Sequence, residues 1–511
     1  MKIKKLILSI LTIVAIAYIS FSLISSVTQP QIQSRLELYQ TNLLLQAGEW
    51  KPQDLDSKNF YLASKTLIGN DSKQIGLIQY KNARDSAQKQ LEKQQKDLQI
   101  LSLEEGITAQ SKKLNDDINQ LKKLINEFDL NLGILQIEKN QINTAQQSWQ
   151  NLTESETANK PLGKTAKVLA EIWSTPAQIL PNAEYLIEQN LDGWFRYSAF
   201  KKLYKLQERE EDLAQLQNQE QEIAEQAVLK LAIIAGVPGI GLTFGVGLLI
   251  FLGVQWLILG KESLLLKNAD LPWEVNWNSE TILQVFVVGF FLVGQIIVPF
   301  GLEVFKSFTN LQPAMMGVRV QAGYILSAYI LFSLGGLLVL YLSLKSFFPL
   351  PKGWFKFDLR GGWFFWGLGG YFLALPMVIL ISLINQQLWQ GQGGSNPILP
   401  IALNGQDGLA LALFFVTASI AAPVFEEVMF RGFLLPSLTK YMPIWGAIIV
   451  SGFLFAIAHL NISEVLPLAV LGIILGAVYT RSRNLLSSIL LHSLWNSGTL
   501  LSLFILGSGN S

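Results

Sequence analysis

The chain has 511 residues, of which half are hydrophobic and only 15% are charged, and its formal net charge is +1. Average soluble domains carry about 25% charged residues, so this composition argues against a purely soluble enzyme. The absence of cysteine excludes disulfides and thiolate metal sites. No basic patch is interleaved with aromatic residues, so we expect no nucleic-acid partner.

The first apolar run, Leu6 to Val27, follows Lys2, Lys4 and Lys5. A secretory signal peptide and an uncleaved anchor both begin with such a pattern. At about 22 residues the run is long enough to cross a hydrocarbon core of roughly 30 Å, whereas a signal core is shorter. We therefore predict a transmembrane anchor at residues 1–28.

Residues 29–228 are rich in Gln, Lys, Glu and Asn, and are predicted to form a soluble helical, partly coiled-coil domain. An apolar seam with alternating steps of four and three residues indicates a helix that packs along a partner helix, in a coiled coil or a helical hairpin. Packing within its own domain is the simpler interpretation, and self- or partner-association through residues 85–150 is the alternative. The seam consists of Leu114, Ile118, Leu121, Ile125, Phe128, Leu132 and Leu135.

From residue 229 onward Leu, Ile, Phe, Val and Gly dominate, which predicts an all-α, polytopic transmembrane helix bundle of about eight spans besides the anchor. Accessory helices are assigned to residues 229–362 and the catalytic domain to residues 363–511. The predicted spans cover approximately residues 231–259, 281–303, 322–344, 363–385, 407–424, 444–460, 465–480 and 485–507.

The distribution of Lys and Arg between the loops predicts the orientation of the chain. With the N-terminal lysines in the cytoplasm, most basic loops fall on the cytoplasmic side, and the loop Gln386 to Gln406 on the other side has no Lys or Arg. We therefore predict a multi-pass protein of a bacterial plasma or internal membrane. Its polar domain would lie outside the cytoplasm.

A first motif, Glu426 to Arg431, places a glutamate pair and an arginine inside an apolar segment, where charges are costly and call for a function. On a helix Arg431 returns to the face of Glu427, four residues earlier, and lies far from Glu426. This spacing predicts an ion pair between Glu427 and Arg431. Glu426 would then be unpaired and could act as a general base.

Two further motifs contain both histidines of the chain, Phe455 to His459 and His492 to Asn496. In each motif the two end residues share a helix face. A His and an Asn on one face can donate two hydrogen bonds to a developing negative charge, as an oxyanion hole requires. A single His or Glu in a membrane often only bonds a neighbouring helix, but three such motifs together favour catalysis.

Two histidines and a glutamate could also bind zinc. The H-E-x-x-H spacing of helical zinc proteases is absent, so we expect no cofactor and keep a zinc-dependent variant as an alternative. Separately, the small-residue spacing at Gly241 to Gly245 and Gly472 to Gly476 predicts close helix packing.

At these motifs the chain resembles the CPBP family of intramembrane proteases, also called the Abi family, which includes the CAAX prenyl endopeptidases. The family's motifs, a glutamate pair followed by an arginine, F-x-x-x-H and H-x-x-x-N, all occur here in order. The resemblance covers about residues 365–508 and does not extend to residues 29–228. It implies membrane lipids and a membrane-associated peptide or protein substrate as partners.

The resemblance also implies a role for each motif residue in a glutamate-type endopeptidase. Glu426 and His459 would activate the hydrolytic water, and His492 and Asn496 would stabilise the oxyanion. The support residues would be Glu427, Arg431 and Phe455. A non-catalytic membrane scaffold or immunity-type protein, recruiting partners through the coiled-coil domain, is the alternative function.

Overall fold

The computed structural model describes residues 2–27, 29, 31, 33–51, 71–104, 109–154, 160–309, 312–313, 316–389, 391–396, 398–404 and 407–508. The described residues are largely helical and contain no β-strand. The chain divides into two compact units. Unit 1 contains Met1–Gln33 and Val237–Gly507, and unit 2 contains Ser34–Gly236 and Ser508–Ser511.

The helices are numbered here in chain order. The first eight are α1 (Lys2–Ser26), α2 (Gln33–Ala47), α3 (Ser72–Glu104), α4 (Ala109–Glu138), α5 (Ile142–Glu154), α6 (Pro161–Ile172), α7 (Ala183–Asn190) and α8 (Gly193–Leu206). The rest are α9 (Glu210–Leu259), α10 (Ser279–Thr309), α11 (Val318–Leu344), α12 (Trp363–Trp389), α13 (Ile398–Asn404), α14 (Gly408–Leu438), α15 (Ile444–Ile457), α16 (Val465–Ser482) and α17 (Leu485–Gly507).

In unit 2, α3 and α4 form an antiparallel hairpin. Two ion pairs show the antiparallel arrangement. Lys139 Nζ, directly after α4, lies 2.6 Å from Asp71 Oδ2, just before α3, whereas Arg84 Nε, further along α3, lies 2.9 Å from Asp129 Oδ1, earlier in α4. The Lys139 ammonium, together with the backbone N–H of Gln74, holds the pKa of Asp71 below its usual range. Asp71 thereby also caps the start of α3.

The predicted apolar seam packs inside this hairpin and against its own unit. Five of its side chains are buried and two are half-buried at the edge of the core: Ile118, Ile125, Phe128, Leu132, Leu135, and then Leu114 and Leu121. The seam therefore serves the core of unit 2, as the simpler interpretation predicted. Association through residues 85–150 stays a prediction, and residues 52–70, 105–108 and 155–159 of the predicted polar domain lie outside the described residues.

Eight described helices are long and apolar enough to cross a membrane, including the N-terminal α1. The predicted all-α, polytopic bundle is thus confirmed. Helix α9 begins at Glu210, about 20 residues before the predicted span, because several helical turns of polar residues precede its apolar part. The segment predicted at residues 444–460 forms only the 14-residue α15.

The two predicted glycine spacings do mark close helix contacts in unit 1. A Cβ at Gly245 would collide with the carbonyl oxygen of Phe372 in α12. A Cβ at Gly472 in α16 would lie 2.8 Å from Gly452 Cα in α15. Glycine at these positions lets the backbones approach each other.

Candidate active site

The glutamate pair lies in α14 between two π-helical segments, Val416–Ala421 and Val428–Leu434. In the first segment the backbone N–H of Ala422 donates to the carbonyl of Thr417, five residues earlier. The helix wheel used for the sequence prediction assumed α-helical turns throughout. Such π turns occur often at functional sites, because they change the direction in which side chains point.

Pro423 explains why one carbonyl of this segment needs an outside donor. In the π register the carbonyl of Ala418 would accept from residue 423, and proline has no N–H. Asn496 of α17 supplies the donor, since its Nδ2 lies 2.7 Å from the Ala418 oxygen. Asn496 therefore fastens α17 to α14 just before the glutamates, and its amide keeps a second N–H for another acceptor.

The predicted ion pair of Glu427 and Arg431 is present and fully buried, with Arg431 Nη1 2.7 Å from Glu427 Oε1. His492 adds a third group, because its Nδ1 lies 3.0 Å from the same oxygen. Arg431 Nη2 donates to the carbonyl of Gly472 at 3.0 Å. The buried carboxylate thus orients both a guanidinium and an imidazole.

The tautomer of His492 follows from this contact. A carboxylate only accepts hydrogen bonds, so Nδ1 carries a proton and donates it to Glu427. The opposite nitrogen, Nε2, lies 4.0 Å from Glu426 Oε2. This separation exceeds a direct hydrogen bond and is typical of groups that share a bridging water.

Glu426, predicted to lack the arginine partner that Glu427 has, accepts a hydrogen bond at one of its two oxygens. The hydroxyl of Tyr329 in α11 donates to Oε1 at 3.0 Å. The other oxygen, Oε2, has no hydrogen-bond donor among the described residues and faces His492. The carboxylate is therefore held by one oxygen, and the other is left to accept a proton.

His459 follows the end of α15, and its Nδ1 lies 2.9 Å from the carbonyl oxygen of Phe455. A carbonyl only accepts, so Nδ1 carries a proton, and Nε2 can accept a hydrogen bond when the ring carries no second proton. The Phe455 ring lies 4.9 Å from the ring of His459 and 5.6 Å from that of His492. The Arg431 guanidinium lies 4.4 Å from the same ring, so Phe455 connects the motifs.

Helix α15 is shorter than a membrane span. Fourteen residues give a helix of about 21 Å, less than the roughly 30 Å of a hydrocarbon core. The loop at 458–461 that follows α15 is half-buried within unit 1.

Among the described residues no group of three or more His, Asp or Glu side chains is arranged to hold a metal ion. Glu427 already serves Arg431 and His492, and each histidine uses its Nδ1 for a protein contact. Metal-bound histidines also show such Nδ1 contacts, so the zinc-dependent variant stays a prediction to be tested.

Tyr329 is the site residue that sequence reasoning missed. It lies 97 positions before Glu426 on a different helix, so no spacing rule connects the two residues. The one available signal was a phenolic hydroxyl inside an apolar span, where such a group needs a partner.

Residues 408–498 match the family model of type II CAAX prenyl endopeptidase Rce1-like proteins. The matched segment contains Glu426, His459, His492 and Asn496, whereas Tyr329 and unit 2 lie outside it. No curated protein and no solved structure matches the chain. With the eight apolar helices, this match indicates a multi-pass membrane protein in which residues 408–498 are similar to the type II CAAX prenyl endopeptidases.

Proposed function

We propose that the chain, with its Rce1-like domain of the CPBP family at residues 408–498, is an intramembrane endopeptidase that hydrolyses peptide bonds of membrane-associated substrates. The observation that carries the proposal is the state of Glu426. One oxygen is fixed by Tyr329, and the other is free of protein donors and faces His492. A general base needs this combination of fixed position and free lone pair.

In the proposed reaction Glu426 Oε2 removes a proton from a water molecule, whose oxygen attacks the carbonyl carbon of the scissile bond. His459, with Nε2 free to accept, orients the same water. Glu426 then returns the proton to the nitrogen of the leaving amine, and the C–N bond breaks. The carboxylate ends in its starting state, so the cycle balances without a cofactor.

The negative charge that develops on the substrate oxygen would be met by α17. Asn496 offers its second amide N–H, and its position is fixed by the bond to Ala418. His492 can donate from Nε2 only when its ring is doubly protonated, because Nδ1–H already serves Glu427. An imidazolium beside two carboxylates would supply the stronger stabilisation of the oxyanion.

The test is a cleavage assay on purified, reconstituted protein, with prenylated and unprenylated membrane-tethered reporter peptides. Glu426→Gln keeps the shape and removes the base, so turnover should fall by at least about a hundredfold. The matched control is Glu303→Gln, at an exposed glutamate of α10 that pairs with Lys306. Its turnover should equal that of the wild type.

Two outcomes contradict the proposal. Full turnover by Glu426→Gln would assign the base to another group, and a folded wild-type protein that cleaves neither reporter would favour the scaffold function. Turnover should also persist in EDTA, because the base is a carboxylate. Loss of activity together with stoichiometric zinc would instead establish the zinc-dependent variant.

A further inference from the structure

The loop that carries His459 is held by two segments far away in sequence. Ser26, the last residue of the anchor helix α1, and residues 27, 29 and 31 form the first segment, and residues 391–394, which follow α12, form the second. We name these two segments the clamp. All of its contacts described here lie within unit 1.

Hydrogen bonds first join the two halves of the clamp. Gly393 N and Gly394 N donate to the carbonyl of Gln29 at 2.9 and 3.0 Å. Gln31 N donates to the carbonyl of Gly391 at 2.8 Å. The chain after α1 thus pairs with residues 391–394 through the main chain.

Both halves then bind the loop. Ile462 N donates to Ser26 Oγ at 3.0 Å, and Ser463 Oγ donates to the carbonyl of Gly394 at 2.8 Å. Gly393 has φ +107, and a Cβ there would lie 2.5 Å from Ser463 Cβ. The fit leaves no space for another side chain at Gly393.

The loop needs such support because its backbone is strained. Leu460, directly after His459, adopts the left-handed conformation with φ 62. This conformation is unfavourable for leucine and persists where the surroundings impose it. The clamp contacts begin two residues later, at Ile462.

The anchor helix itself is packed along unit 1 from end to end. Lys4 and Lys5 lie 3.6 and 3.8 Å from Glu280 at its start. The Tyr18 ring meets Phe291 edge-on at 5.5 Å between ring centres. Ser26 is buried, so the helix ends inside the contact that it makes with the loop.

We infer that α1, together with residues 27, 29 and 31 after it, is a built-in positioning element for His459, which requires that the N-terminal helix stays attached in the working enzyme. This inference rests on the proposed function. Ser26 acts through the loop and is a positioning residue. Its hydroxyl donates to the Leu23 carbonyl and accepts from Ile462 N, so one small side chain connects helix and loop.

The chain offers a matched pair for the test. Ser25 is exposed and its hydroxyl bonds only within α1, to the carbonyl of Ser22, whereas Ser26 is buried against the loop. For Ser26→Ala we expect kcat to fall about fivefold with KM unchanged, because a half-buried N–H loses its acceptor. Ser25→Ala should match the wild type, and Ser26→Thr, which keeps the hydroxyl, should restore kcat.

A second readout does not depend on activity. Hydrogen exchange of the peptide covering residues 458–464 should be faster in Ser26→Ala than in Ser25→Ala, at equal thermal midpoints. Ser463→Ala, which removes the bond to Gly394 from the other half of the clamp, should have the same effect. Equal exchange in all variants would overturn the inference, as would an unchanged kcat in Ser26→Ala. If the wild type cleaves no reporter, the proposed function fails, and exchange alone decides whether the clamp holds the loop.

Discussion

Two adjacent glutamates in α14 have opposite environments. Glu427 has no exposed surface and binds the Arg431 guanidinium and His492 through one oxygen, whereas Glu426 is slightly exposed and, among the described residues, accepts a hydrogen bond from the neutral Tyr329 hydroxyl. The difference arises because neighbouring residues on a helix point about 100° apart. The Glu427 carboxylate therefore has a structural role, and the Glu426 carboxylate is the better candidate for the general base.

Glu427→Gln should destabilise the protein, because it leaves the buried Arg431 guanidinium without a counter-charge. Stranding one partner of such a pair costs about 3–5 kcal/mol. We expect a lower thermal midpoint and lower yield, whereas turnover per folded molecule should fall much less than in Glu426→Gln, because the Gln amide oxygen can still accept from His492 Nδ1. Glu303→Gln, at an exposed pair, should change stability by less than about 1 kcal/mol. A stable Glu427→Gln protein without activity would mean that the catalytic role was given to the wrong glutamate.

Tyr329→Phe tests whether the accessory helix α11 contributes to the site. Loss of the hydroxyl removes the donor that, among the described residues, fixes Glu426. Turnover should therefore fall roughly tenfold, the effect of about 1.4 kcal/mol from one hydrogen bond to a charged group. Tyr341→Phe, at an exposed tyrosine on the same helix, is the control and should be silent. Equal turnover in both variants would remove Tyr329 from the site.

At the scale of elements, the crossing of α15 and α16 sets the position of Arg431. Gly452 and Gly472 let the two backbones touch, and the Gly472 carbonyl accepts from Arg431 Nη2. Any shift of α16 away from α15 therefore also moves the guanidinium and the groups bound to it. Packing and catalytic geometry are coupled at this point.

Gly452→Ala should separate the two helices, because its Cβ would lie 2.8 Å from Ile473 N. Overpacking of this kind costs about 1–3 kcal/mol, so the thermal midpoint and turnover should both fall. Gly446→Ala on the same helix is the control, since its Cβ meets only the Met442 side chain at 3.5 Å. Alanine there should raise stability by up to about 1 kcal/mol through helix propensity. Two variants of equal stability would contradict the packing argument.

The sequence predicted those features that depend on spacing within one helix. The seam from Leu114 to Leu135 and the Glu427–Arg431 pair both follow from helical periodicity, and both are present. The hydrogen bond from Tyr329 to Glu426 joins distant parts of the chain, so helical periodicity cannot predict it. The π turns around the glutamates were also missed, because a proline signals a missing donor without specifying how the helix adapts.

At the scale of the whole molecule, the remaining question is which side of the membrane each loop faces. In unit 1, Lys4 and Lys5 at the start of α1 contact Glu280 at the start of α10, so these two helices begin on the same side. If α1 and α9 cross the membrane in opposite directions, α10 must begin on the side on which α1 begins. This relation holds in either orientation, and the lysines at the N-terminus favour the one in which that end is cytoplasmic.

We therefore expect the polar part of the chain between α1 and the apolar part of α9 to lie outside the cytoplasm. Because the chain has no cysteine, single cysteines can be introduced without removing others. Gln120→Cys and Lys356→Cys both replace exposed side chains. In intact cells an impermeant maleimide should label the first variant, whereas the second should react only after permeabilisation, since lysine-rich loops remain on the cytoplasmic side. Wild-type chain, which has no thiol, gives the background, and the reverse labelling pattern would invert the topology and place unit 2 in the cytoplasm.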